Sequence, residues 1–575
     1  MAVCSILAFA RRIRSMRSTF SRRQFAAASL GMFAAAGVLQ DRALARLGLK
    51  ADGTPISGEP VVLTNRRPLP PATPSGDQLF RITGPIVGPE TIDPALVRDL
   101  SSAFLTRLVF RGLVVFDAEL NPALELAEKV EISADGLTYT FSLDPKAVFH
   151  SGRQITANDV LFSFTRALNP ETAGGPAALL SGPTFFDSIK GSAELLAGKA
   201  DRLSGVTAVD DATVQIELTA PSSPFLMKLG ASATSIVDPD DVAKGDSWWM
   251  MPNGSGPFHI NEWTPSQRMV LTPVKTFIDG APALQRIEIP LGPNAGSAFN
   301  LYQADKVDIV GIGSGDVDRV TSPESGLADQ LIKSDLFATE YAAFRTDTVP
   351  MDDIHVRRAV AMAFPREKIA AVQYGGHVNF ADGIVPDGML GVDWPVDGLP
   401  YDPEGAKTEF AKSKYAGMTA IDPIQIYSTG NAFVPAFREA VHDVLGLEVD
   451  AVAVQSSEFF DGLALRQYPA YALYWGADYP DPWTFLGSLF MTGSSDNYID
   501  YSNADFDALM NEAAREQDVT TRADTYKKAQ QVLVDDAVVI PTYHDVSYML
   551  IKPGVKGLEL TALGLLQLET IWIER

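Results

Sequence analysis

The 575-residue chain has one cysteine, Cys4. No intrachain disulfide and no cysteine-ligated metal cluster can form. Basic residues are also scarce, 47 Lys and Arg against 71 Asp and Glu, a net charge of −24. Residues 1–45 hold seven Arg and one acid, so the remainder carries 40 basic and 70 acidic residues, a net of −30. Such a surface excludes nucleic acid as a partner, because phosphate binding needs concentrated Lys and Arg. It disfavours an anionic membrane face for the same reason. No run reaches 18 apolar residues, so no membrane span is predicted. The six histidines, His150, His259, His355, His377, His442 and His544, form no HExxH or other metal pair at helical spacing. Walker A, GxGxxG and GxSxG motifs are missing too. No metal or cofactor is expected, and a binding protein is favoured over an enzyme.

What is present begins with a leader. Arg11, Arg12, Arg14, Arg17, Arg22 and Arg23 precede an apolar stretch from Ala26 to Leu39, and Ala43-Leu-Ala45 fits the small-x-small cleavage rule. An amphipathic surface helix is the competing reading. Ser21-Arg-Arg-Gln-Phe25 resembles the twin-arginine export motif, with Arg22 and Arg23 as its pair. Met1 to Ala10 is apolar and stands on the wrong side of the basic region, which places the expected start at Met16. Residues 1–45 are thus a signal peptide and the exported chain is soluble and periplasmic. Pro55, Pro60, Pro68, Pro70, Pro71 and Pro74 make 46–76 an expected linker.

Folded sequence starts near Gln78 with a strand at Leu79–Thr83 and a helix over 95–110. Leu137-Thr-Tyr-Thr-Phe-Ser-Leu143 alternates strictly and reads as a half-buried strand after an Asp135-Gly136 turn. Thr156-Ala-Asn-Asp159 is a capping box opening a helix that Pro170 stops. Strands follow at Val214–Leu218 and Arg286–Pro290. Trp248 and Trp249 are expected in the core. Helices are predicted over 353–364, after Asp402-Pro403, after Asn503 and over 522–534, and a short buried strand over 538–542. Strands and helices mix throughout, which indicates an α/β fold, and the length requires more than one core.

The most informative stretch is Tyr471-Ala-Leu-Tyr-Trp-Gly-Ala-Asp-Tyr-Pro-Asp-Pro482. It begins as a buried strand and is cut off by Gly476, Pro480 and Pro482. Asp478 therefore stands at a strand mouth between Trp475 and Tyr479. Either it caps its own turn, or it holds a cationic group among aromatic rings.

Several segments in order resemble one family, the extracellular solute-binding proteins, family 5, of ABC transporters. They are Thr91-Ile-Asp-Pro-Ala95; Asp135–Leu143 with Val148–Arg153 and Thr156–Val160; Gly254-Ser-Gly-Pro-Phe258 with Trp263; Tyr401-Asp-Pro-Glu404; Trp475–Pro482; and Tyr501-Ser-Asn503 with Asp507. The resemblance spans roughly residues 78–570. It implies a two-lobed periplasmic-binding-protein-like clamshell with an extra subdomain in lobe one. Lobe one is expected over 77–340 with the insert at about 112–215, lobe two over 341–537, and a return to lobe one over 538–575. The chain would cross near Glu340–Arg345 and come back near Asp536–Tyr543. The resemblance implies a monomer that encloses a small solute or peptide between its lobes and delivers it to an inner-membrane permease. Asp478 would take the ligand's amino group, Trp475 and Tyr479 its flat or aliphatic parts, and Arg345 an anionic end unless it pairs with Asp347 or Asp352. The sequence departs from peptide-binding relatives at Ala472-Leu-Tyr474, where some carry an Arg, and at Phe344-Arg-Thr346. A metal chelate or opine is the alternative ligand, and a secreted hydrolase using Asp478 and Asp481 the alternative class.

Overall fold

Ala470–Gly476 lies inside a seven-stranded sheet, antiparallel to Leu331–Phe344 on one side and parallel to Ile424–Ser428 on the other. Its unbroken apolar composition follows from burial of both faces, with Ala470 and Ala472 packed into one core and Tyr471 and Leu473 into another, so polar alternation disappears. The computed structural model describes residues 60–67, 69–83, 89–292, 298–516 and 518–574. The leader, including Arg22 and Arg23, lies outside them.

The architecture is a two-lobed α/β clamshell built on two long strands, Leu331–Phe344 and Val539–Ile551, which run side by side. Their first pairing joins Leu331–Asp335 to Val546–Leu550, with Ile309–Gly311 added at the edge. Their second joins Thr339–Ala343 to Val539–His544, and there Ala470–Gly476 takes the other side. The register shifts between Asp335 and Thr339. A shift of this kind bends a strand and loosens its ladder.

An antiparallel five-stranded sheet occupies the insert, in the order Val61–Leu63, Ala127–Ile132, Thr138–Leu143, Thr213–Glu217, Val206–Asp210. Tyr139, Phe141 and Leu143 are buried on one face, as their alternation requires. The helix Ala157–Leu168 covers that face with Val160 and Phe164. Its capping box forms: the Thr156 N–H donates to Asp159 Oδ2 at 2.8 Å. A four-stranded sheet, Leu79–Arg81, Arg286–Pro290, Arg268–Pro273, Phe258–Thr264, carries a second core with Trp248 packed on Phe110. Trp249 is half-buried against Trp263.

Two segments differ from expectation. Part of the expected linker 46–76 is integral to the fold. Val61–Leu63 pairs with Val130–Ile132, Arg66 bonds Asp144 and Asp279, and buried Arg67 bonds Glu569. The prolines flank this strand rather than interrupt it, so proline content is misleading there. The strand expected over 538–542 runs from Val539 to Ile551, 13 residues rather than five. Pro541 does not end it, because its missing N–H falls at a register shift beside Glu340 and Tyr341.

Candidate functional site

The strand Ala470–Gly476 delivers its C-terminal end to a gap between the lobes. Leu473, Tyr474, Trp475, Gly476 and Asp478 line a cavity of about 110 Å³ with Asp496 and Tyr498. The opposite wall comes from lobe one, through Arg98, Leu100, Ala103, Thr184 and Phe185. A second cavity of about 270 Å³ shares Leu100, Ala103, Ser232, Tyr474, Gly476 and Asp478 with the first, so the two adjoin. The walls approach closely at Gly476: a Cβ there would stand 3.3 Å from Leu100 Cδ1.

The turn after the strand separates two carboxylates that look alike in sequence. Asp481 is 1 % exposed, accepts from the Trp483 N–H at 2.9 Å and pairs with Arg522. It is the structural cap of the turn, and its charge is already neutralised. Asp478 behaves differently. Its N–H donates to Thr484 Oγ1 at 3.4 Å, but its carboxylate accepts no hydrogen bond from any described residue. Burial, helped by the neighbouring Asp496, pushes the Asp478 carboxyl up to about 7. Asp496 is itself raised by burial, although Thr184 and Tyr498 donate to it at 2.7 and 3.1 Å. A desolvated carboxylate with no partner lowers its energy by receiving a cation. Asp478 therefore does not cap the turn with its carboxylate, which faces the cavity unbonded by any described residue. The same geometry removes the hydrolase pair, since Asp481 is sealed behind Arg522.

Trp475 lines the cavity and its buried Nε1 has no partner among the described residues. Two expected contacts are not brought to the cavity. Tyr479 is 0 % exposed, edge-on to Phe185 at 6.5 Å, with its hydroxyl 3.5 Å from Ser488 Oγ. It supports the turn from behind, because the strand has ended and strict alternation no longer sets its direction. Arg345 is saturated by Asp347 at 2.8 Å and Asp500 at 2.7 Å. Its alternative reading as a local ion pair is the one the structure contains, with Asp500 in place of Asp352. Arg466, a further cation on lobe two, also pairs with Asp500, at 3.1 Å.

Sequence reasoning missed Asp496, Arg98 and Thr184. Asp496 sits in a polar loop with no motif around it. Arg98 bonds Asp461 at 2.6 Å and the Phe460 carbonyl at 3.0 Å, joining the lobes across 363 residues of chain. Only the folded chain puts these groups together. Among the described residues no group of three or more His, Cys, Asp or Glu could hold a metal ion, and no helix is long and apolar enough to cross a membrane.

The model of the bacterial extracellular solute-binding proteins, family 5 (middle), matches residues 121–497, about two thirds of the chain. The chain belongs to this family. It is 28% identical to the probable deoxycholate-binding periplasmic protein YgiS of Escherichia coli (strain K12), over 82% of this chain and 89% of that one. It is 27% identical to the periplasmic oligopeptide-binding protein OppA of the same organism, over 81% and 87%. The structure of the Escherichia coli murein tripeptide binding protein MppA superposes with a TM-score of 0.78 at 24% identity, covering 88% of this chain and all of that one. Against MppA in its unliganded open form the score is 0.63, at 24% identity over 87% and 98%.

Proposed function

We propose that the chain is the periplasmic receptor of an ABC importer for an oligopeptide or amino-acid-like solute, and that Asp478 receives the ligand's ammonium group. The observation that carries this reading is an interlobe cavity containing a carboxylate with no partner among the described residues. Trp475 supplies a ring face and an unused N–H beside it. The relatives named for peptides support the ligand class. Ligand drives closure only by contacting both lobes better when they are shut. The cavity offers such contact, with Asp478 on lobe two and Leu100 and Ala103 on lobe one. Lobe one then takes in the strand at Val61–Leu63 and runs to the register shift at 336–338, a few residues ahead of the expected crossing, and lobe two begins there. A twin-arginine leader exports the chain, which works as a monomer with its permease.

Thermal-shift titration of the mature protein with free-amine di- to pentapeptides and their N-acetylated forms tests the assignment. Stabilisation by the free-amine series and none by the acetylated series is expected. Equal shifts from both, or shifts only with nickel chelates or sugars, would overturn it.

A further inference from the structure

The helix Leu100–Val109 is capped by Asp99, which accepts from the Ser102 N–H. Its buried side, with Leu105, Leu108 and Val109, packs into lobe one. Leu100, Ala103, Phe104 and Arg107 recur at spacings of three and four, so they share the other side. All four line the larger cavity together with Asp478. Arg107 is thus a cation on lobe one facing the same space as the unpartnered carboxylate on lobe two.

Arg107 is not neutralised elsewhere. Its Nη1 donates to the Gly230 carbonyl at 2.7 Å, and no described carboxylate lies within ion-pair distance. The two acids that act on it from further away are already taken. Glu125 meets Arg111 at 3.0 Å, and Glu569 meets Arg67 at 2.5 Å and Arg111 at 2.6 Å. Of Arg67, Arg107 and Arg111, Arg107 alone has no described carboxylate within ion-pair distance, and it is the one that lines the cavity. Burial and the neighbouring Arg111 push the Arg107 guanidinium down to about 10, so it remains charged at neutral pH. A half-buried cation is stabilised by an anion supplied from the cavity. The wall between the two charges is apolar, with Phe104, Leu336, Phe337, Met549 and Leu563.

We propose that Arg107 is the second anchor of the ligand: it binds the carboxylate of a zwitterionic amino acid or short peptide with apolar side chains, whose ammonium group lies on Asp478. This rests on the reading of Asp478 given above and adds the other end of the ligand. It also assigns to lobe one the anion-binding role that Arg345, paired on lobe two, does not fill.

The test is calorimetric titration of the mature protein with leucine di- to pentapeptides, their C-terminal amides and their N-acetyl forms. In the wild type, amidation of the best-bound peptide should weaken binding about 10- to 100-fold, the range for a hydrogen bond between charged groups. In Arg107→Met the free acid should bind no better than the amide, while acetylation still weakens binding. Arg107→Lys, which retains the charge without the fork, should recover part of the acid preference. If amidation costs nothing in the wild type while acetylation does, Arg107 is not the anion site and the Asp478 reading stands. Full retention of the acid preference by Arg107→Met overturns the Arg107 assignment in the same way. If neither modification matters, or no peptide binds, both readings fall. The wild-type comparison of acid with amide decides even where a variant does not fold.

Discussion

Replacing Asp478 by Asn should stabilise the ligand-free protein above neutral pH. The carboxyl is held near 7 instead of its ordinary 3.8, chiefly by burial and then by Asp496. Between those values the folded chain keeps a proton on Asp478 that the unfolded chain has lost. Stability from this group is therefore highest near pH 4, falls as pH rises to 7 and is flat above. At about 1.36 kcal/mol per pH unit the full difference is at most about 4 kcal/mol. Solvent reaches part of the side chain, which reduces the expected effect to about 2 kcal/mol. Asn has nearly the same shape and no charge, so the variant escapes this cost. Urea unfolding of both proteins without ligand should give equal stabilities near pH 4 and a gap that opens by pH 8 in favour of the variant. Released from its neighbour, Asp496 ionises more readily, which adds to the gap with the same sign. Amine-bearing ligand should stabilise only the wild type, and its affinity should drop about tenfold per pH unit below 7 as Asp478 takes up a proton. A variant that is less stable at pH 8, or that binds free-amine peptide as the wild type does, refutes the reasoning.

Arg522→Met should cost about 3–5 kcal/mol of unfolding free energy, because it strands the buried Asp481 carboxylate; urea unfolding measures it, and a loss under about 1 kcal/mol contradicts the capping role given to Asp481. Asp461→Ala removes the interlobe partner of Arg98, a pair with one exposed member. Peptide affinity should weaken by no more than about fivefold at low salt and be unaffected at high salt, which titration at two ionic strengths checks. His544 is buried, with Nδ1 2.8 Å from Thr339 Oγ1, and burial pushes it down to about 3. The unfolded chain takes up a proton near pH 6.5 and the folded chain does not. Stability from this group is complete above 6.5 and is lost toward 3. His544→Gln should flatten the acid limb of the unfolding profile over that window.

Local signals are legible where a residue's role depends on its immediate neighbours. The strict alternation of Leu137–Leu143 marks the strand and its buried face, and Thr156 and Asp159 mark the helix start. The apolar strand leading to Asp478 is legible because burial of both faces leaves a continuous hydrophobic run. Tyr479 points away from the cavity because the chain leaves the strand between Gly476 and Asp478, and alternation has no authority in a turn. Arg345's pairing with Asp347 is legible two residues away, while its second partner is hidden because Asp500 lies 155 residues away. Arg107 carries a legible sign in principle, since it continues the i, i+3, i+4 series begun by Leu100. Its lack of a counterion depends on how Arg67, Arg111, Glu125 and Glu569 pair across the whole chain, and no local pattern encodes that.

Two opposite charges without an ion-pair partner among the described residues, one on each lobe, also bear on specificity. They make the empty closed state costly, since each group loses water and gains no counter-charge in return. Opening restores water to both. A ligand bearing only an ammonium group satisfies Asp478 and leaves Arg107 dry, while a ligand bearing only a carboxylate does the reverse. Either gains less from closure than it costs, because leaving one charged group buried and unmet exceeds what a typical hydrogen bond returns. A zwitterion of matching span removes both penalties at once and closes the lobes. Selection would then rest on the cost of the wrong ligand more than on attraction to the right one. That distinguishes this receptor from one that grips a ligand on one lobe: removing either charge should broaden what it accepts while lowering its best affinity.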